Sequence, residues 1–101
     1  MKVVFSPTAA TDLEEIGDYI ALGNPNRAVS FVREIRERCT AIAAAPEAAP
    51  LRDELIPGIR MVVHRNYLVF YRVLGNQIRI ERVLHGARDI IRLFREENRS
   101  S

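Results

Sequence analysis

Gly75-Asn76 constrains this chain more than any other two residues. Both tolerate positive φ, and they separate two runs that read as strands, residues 67–74 and 77–84. Such a pair makes a two-residue hairpin turn. A loop that short fixes which residues face one another across the hairpin. Counting outward pairs Leu74 with Gln77, Val73 with Ile78, Arg72 with Arg79, Tyr71 with Ile80 and Phe70 with Glu81. One face then carries Tyr67, Val69, Tyr71, Val73, Ile78, Ile80 and Leu84, with Arg82 as the exception. The other carries Leu68, Phe70, Arg72, Leu74, Arg79, Glu81, Val83 and His85.

The period of two begins at Ile59, so residues 59–64 form a further strand, joined to the hairpin through His64-Arg65-Asn66. A three-residue loop there would add Arg60, Val62 and His64 to the second face. Before Ile59 the period is helical. Lys2–Phe5 is a short β-branched strand, and Ser6-Pro7 opens a helix as N-cap and first helical residue. Ala9, Leu13, Ile16 and Ile20 make its apolar stripe, while Asp12, Glu14, Glu15 and Asp18 are expected on its solvent side. Gly23 ends it and Asn24-Pro25 opens the next helix by the same logic, with Ala28, Phe31, Val32, Ile35, Cys39 and Ile42 as the stripe and Pro46 as the stop. The two helices form a hairpin with one apolar seam, which belongs against the face of Tyr67, Val69 and Tyr71. Pro57-Gly58 is a turn. Residues 87–97 look helical, and residues 99–101 are expected to fray.

The second face is where chemistry concentrates. Arg72 and Arg79 lie directly opposite, a destabilising arrangement of like charges. Either Glu81 relieves it diagonally or the face awaits an anionic partner. Leu68, Phe70, Leu74 and Val83 would leave an apolar patch on the same surface, the mark of an interaction site. Charge is uneven in the same direction. The first 50 residues hold five basic groups (Lys2, Arg27, Arg33, Arg36, Arg38) and seven acidic ones (Asp12, Glu14, Glu15, Asp18, Glu34, Glu37, Glu47). Between Ile59 and Arg88 there are six arginines (60, 65, 72, 79, 82, 88) against Glu81 alone, which points to an anionic partner. An apolar groove rich in arginine suits a peptide better than bare duplex DNA.

His85, at the strand end, either caps the final helix, stands solvated, or serves as a general acid or base. His64 and His85 have no cysteine or carboxylate cluster at ligand spacing, so no metal site is expected. No phosphate-cradling glycine loop, nucleophile elbow or cofactor box is present, so no cofactor is expected. Cys39 sits among apolar helix positions and reads as a buried hydrophobe. No run of about 18 apolar residues exists. Met1 to Phe5 leads straight into Ser6-Pro7, too short for a secretory signal, so a cytoplasmic protein of one domain, residues 1–101, is expected.

With these marks in order, the chain resembles the RelE/ParE superfamily of type II toxin–antitoxin toxins, and its ParE branch more closely. The matching residues are the first strand followed by Ala10-Thr11-Asp12-Leu13-Glu14-Glu15-Ile16 and Tyr19, then Pro25, Ala28 and Phe31. Pro46, Leu51-Arg52-Asp53-Glu54-Leu55, Pro57-Gly58-Ile59-Arg60 and Tyr67-Leu68-Val69-Phe70-Tyr71-Arg72-Val73 follow. Ile80-Glu81-Arg82-Val83-Leu84-His85-Gly86-Ala87-Arg88-Asp89 closes the run. The resemblance implies an α+β, β-α-α-β-β-β fold, with a helical hairpin on one face of a mainly antiparallel twisted sheet and a C-terminal helix. It implies a cognate ParD-like antitoxin in a hetero-oligomer, DNA gyrase as target, and operator DNA reached only through the antitoxin. Arg60, Phe70, Arg72, Arg79, Glu81, His85 and Arg88, with the tail 88–99, are then the expected binding residues. The alternative is a RelE-type ribosome-dependent mRNA endoribonuclease using Arg60, Arg79 and His85; a third reading is an inactive relative kept as a binding module. The single lysine, Lys2, and the lack of any tyrosine after Tyr71 count against the nuclease.

Overall fold

The computed structural model describes residues 1–86 and residue 89. Strand β1 (Lys2–Phe5) leads into helix α1 (Pro7–Ala21), then α2 (Pro25–Ala41), a 3-10 turn (Ile42–Ala44), and strands β2 (Arg60–His64), β3 (Tyr67–Leu74) and β4 (Gln77–His85). Both helices begin as their cap-then-proline signals require. The Ser6 hydroxyl accepts from the Ala9 N–H at 3.0 Å, and the Asn24 side-chain oxygen accepts from the Arg27 N–H at 3.0 Å, each satisfying an otherwise orphaned helix donor. Where the helices meet, Gly17 leaves room for Val32; a Cβ there would stand 3.3 Å from the valine methyl.

The four strands run in the order β1-β4-β3-β2. β1 is parallel to β4, and the other two pairings are antiparallel. The helical hairpin covers one face. Ala9, Leu13, Ile16, Phe31, Ile35, Cys39 and Ile42 from the helical side meet Tyr67, Val69, Tyr71, Ile78, Ile80 and Val83 from the sheet in one buried cluster. Most of both predicted stripes and of the predicted inward side chains of β3 are in it, with Ile20 and Val73 partly buried against it; Ala28 and Val32 are not members.

The register follows the two-residue count from Leu74↔Gln77 to Tyr71↔Ile80, with Gly75 at φ 60°. It then departs from the expectation. A β-bulge pairs Phe70 with Arg82 instead of Glu81, and every later side chain of β4 changes face. Val83 goes into the core, Leu84 goes to the open face, and His85 falls beside Tyr67 on the helix side.

The bulge sits where β4 loses its neighbour. β1 ends at Phe5, and α1 supplies the missing partners. The Ser6 N–H donates to the Ile80 carbonyl at 2.9 Å and the Ser6 hydroxyl to the Glu81 carbonyl at 2.9 Å. Asp12 accepts from the Val83 N–H at 2.9 Å and from two guanidinium nitrogens of Arg82, at 2.9 and 3.1 Å. Asp12 is therefore only 8% exposed, which corrects the expectation of a solvated carboxylate. It replaces a strand partner, and its bond to Arg82 holds that guanidinium's pKa above its ordinary value.

The second turn also differs. It is two residues, Arg65-Asn66, with His64 facing Tyr67 and Arg65 at φ 54°. A two-residue loop moves Arg60, Val62 and His64 to the helix side, opposite to the expectation from a three-residue loop. Asp89 apart, the expected C-terminal helix, Arg88 and the tail 88–99 lie outside the described residues.

Candidate functional site

The face of the sheet away from the helices carries its own small cluster. Ile59, Phe70 and Leu84 are buried there, with Leu55, Met61 and Leu68 packed against them. Leu55 comes from the segment before β2, which folds back over the sheet. Leu51 bridges Arg60, and the Arg52 N–H donates to the Ile59 carbonyl at 2.8 Å. Beyond that anchor, residues 53–58 form a strap, closed on itself by the Gly58 N–H donating to Asp53 Oδ1 at 2.8 Å.

Between this strap and the start of α1 lies a cavity of about 530 Å³. Its floor is apolar, from Ile59, Phe70 and Leu84; the strap's Glu54, Leu55 and Ile56 form one wall and Ser6, Pro7 and Thr8 the other. Arg72, Arg79, Glu81 and Arg82 line it as well. The arginines are on this face because β3 and β4 alternate, and Arg72 and Arg79 are opposed as counted from the turn.

Each arginine of that pair has an internal partner. Arg79 Nε lies 3.2 Å from Glu81 Oε1, the relief expected from Glu81. Arg72 donates to the Pro57 carbonyl at 2.8 Å. A guanidinium carries five donors, so neither is saturated by these bonds. The groove thus offers an apolar floor and paired cations, chemistry that suits an amphipathic segment bearing a carboxylate.

The structure brings Phe70, Arg72, Arg79 and Glu81 together in the groove. It places Arg60 elsewhere: its guanidinium donates to the carbonyls of Glu47 at 3.0 Å and Ala49 at 2.7 Å, bracing the loop after the 3-10 turn. Beside it the Tyr71 hydroxyl donates to the Pro46 carbonyl at 2.7 Å, and burial raises the phenol's pKa above its ordinary value. His85 is also outside the groove. Its ring meets Tyr67 edge-on at 5.4 Å, and Phe31 links Tyr67 to His64 at 5.4 and 5.7 Å. His64 Nε2 lies 3.6 Å from Glu34 Oε1, a carboxylate already bonded to Arg27. Arg88 lies outside the described residues.

Sequence reasoning missed Leu55, Ile56, Ile59, Leu84 and Arg82 as groove residues. For Leu84 and Arg82 no local signal exists, because the bulge that redirects them depends on Asp12, 70 positions from Arg82. For the strap, Pro57-Gly58 gave the turn but not the surface onto which it folds. Among the described residues no group of three potential metal ligands gathers, and no helix is long and apolar enough to cross a membrane.

Comparison with known proteins agrees with this architecture. The family model described as "ParE toxin of type II toxin-antitoxin system, parDE" matches residues 3–90. A solved structure described as "Chromosomal ParDE TA system from P. aeruginosa" is similar at 28% sequence identity, with a TM-score of 0.74, over 85% of this chain and 96% of that one. No curated protein matches the chain.

Proposed function

The chain belongs to the ParE toxin family of type II toxin–antitoxin systems, and from that premise we propose that it inhibits DNA gyrase and is neutralised by a ParD-like antitoxin seated in the open-face groove. It is the toxin component of a ParDE-type system, and such a system supplies an antitoxin partner. The finer reading makes the two a hetero-oligomer in the cytoplasm, with operator DNA reached through the antitoxin, and no cofactor takes part.

One observation carries the siting. An apolar floor and the opposed Arg72 and Arg79 share the sheet face that the chain's own helices leave open. Phe70 and Leu84 supply apolar contact, Arg72 and Arg79 fix an acidic residue, and Glu81 sets where that residue fits. Arg88 and the tail 88–99 extend the same binding role.

The endoribonuclease alternative needs Arg60, Arg79 and His85 around one scissile phosphate. Arg60 is committed to two backbone carbonyls, and His85 lies against Tyr67 on the helix side. That separation supports an inhibitor that binds rather than an enzyme that cuts. The test is purified protein added to gyrase with relaxed plasmid, and in parallel to translating ribosomes. Lost supercoiling with intact mRNA is the expected result. Codon-phased cuts in ribosome-bound mRNA would overturn it in favour of the nuclease, and no effect on either leaves an inactive binding module.

A further inference from the structure

We propose that residues 53–58 are a strap whose closed position is set by Arg72, and that a carboxylate entering between Arg72 and Arg79 releases it. This rests on the reading of the groove as a binding site for an acidic segment and adds how that site opens.

The strap is held to its base by short-range bonds: the Leu55 and Ile56 N–H groups donate to the Arg52 carbonyl at 2.9 and 3.2 Å, the Ile59 N–H donates to the Ile56 carbonyl at 3.2 Å, and the Gly58 N–H donates to Asp53. These bonds break when the strap opens, and its amides then exchange. Its base is fixed, since Leu51 pairs with Arg60 and Ile59 is 2% exposed in the open-face cluster. Of its six residues only Leu55 is half-buried; the other five are exposed. The Arg72–Pro57 bond ties its tip to β3. Gly58, at φ 79°, lets the backbone turn against that guanidinium; a Cβ there would stand 3.4 Å from it.

The tie is a bond from a cation to a neutral carbonyl, beside a second cation that Glu81 balances only in part. A carboxylate between Arg72 and Arg79 replaces that single bond to a neutral carbonyl with bonds between opposite charges, which can be bidentate, and screens the two guanidinium groups from each other. Arg72 then turns from the strap to the ligand, and the strap is left with its Leu55 contact and the short-range bonds to Arg52 and Ile59. A partner's apolar side chain can take that place on Phe70 and Leu84.

Residue-resolved hydrogen exchange on the full chain tests this, with the amides of Leu55, Ile56 and Gly58 as readout and those of β3 and β4 as internal control. Sodium glutarate is the carboxylate probe, with sodium chloride at matched ionic strength as reference. Arg72→Gln is expected to speed strap exchange roughly three- to tenfold, the loss of one hydrogen bond, with the sheet unchanged. Glutarate is expected to speed it in the wild type. Arg79→Gln keeps the tie and removes half the anion site, so its strap is no faster at rest and does not respond to glutarate. Strap exchange unaltered by Arg72→Gln, slowed by glutarate, or still responsive in Arg79→Gln overturns the proposal. None of these outcomes bears on gyrase inhibition, so the two readings fail separately.

Discussion

The two faces of the sheet are made from the same strands and differ in almost everything else. Among the described residues, thirteen buried ones form one cluster on the covered face. On the open face three buried residues form a cluster under a strap, and arginines stand beside them. The covered face is where apolar burial stabilises the chain. The open face holds back apolar surface and charge that its own chain satisfies only in part. A fold of this size can keep such a surface because the opposite face supplies enough core.

That contrast predicts its largest effect in the core. Ile80→Ala, at a fully buried position, should cost about 3 kcal/mol, while Leu84→Ala under the strap should cost about half as much. Urea denaturation of both variants checks the ratio, and equal losses would erase the distinction between the faces. Next is the seam where the faces join. Asp12→Ala removes a bidentate partner of Arg82 and leaves the buried Val83 N–H unbonded, so a loss of about 2–3 kcal/mol is expected. Asp12→Asn, which keeps one acceptor, should recover part of it.

Arg79→Ala reverses the ranking of stability and function. Its side chain is 42% exposed and paired with Glu81, so stability should change by less than about 0.5 kcal/mol. Affinity for the antitoxin should fall by about 1–2 kcal/mol, measured by calorimetry against the product of the adjoining reading frame. A variant that binds normally would remove the open face from the binding account.

The smallest effect is in pH. The Arg27 hydrogen bond holds the Glu34 carboxyl below its ordinary value of 4.5. A depressed carboxyl contributes stability that is present above the unfolded value and is lost as pH falls through the folded one. Acid titration from pH 5 downward should therefore lose stability slightly less in Glu34→Gln than in the wild type. At higher pH Cys39, pushed up to about 11 by burial, should resist thiol reagents at pH 8 until the chain is unfolded.

Local chemistry was legible where one stretch of chain determines the outcome. Ser6-Pro7 and Asn24-Pro25 cap helices by their own side chains, and Gly75-Asn76 turns the hairpin with no outside help. Phe70, Arg72, Arg79 and Glu81 were placed correctly because they lie within reach of that turn or keep the parity of β3. Arg60 and His85 were misplaced because each depended on a turn or a bulge whose geometry is fixed by distant residues. Arg65 at φ 54° is not a residue type that announces a tight turn.

The amino-acid order alone thus determined the four strands, helices α1 and α2 with their apolar seams, and the opposition of Arg72 to Arg79. Tertiary structure decided which side chains of β4 beyond Ile80 face the groove, since a strand that runs past its neighbour must find new partners for its backbone. Ser6 and Asp12 met that need, and meeting it inserted the extra residue that turned Leu84 outward and His85 inward.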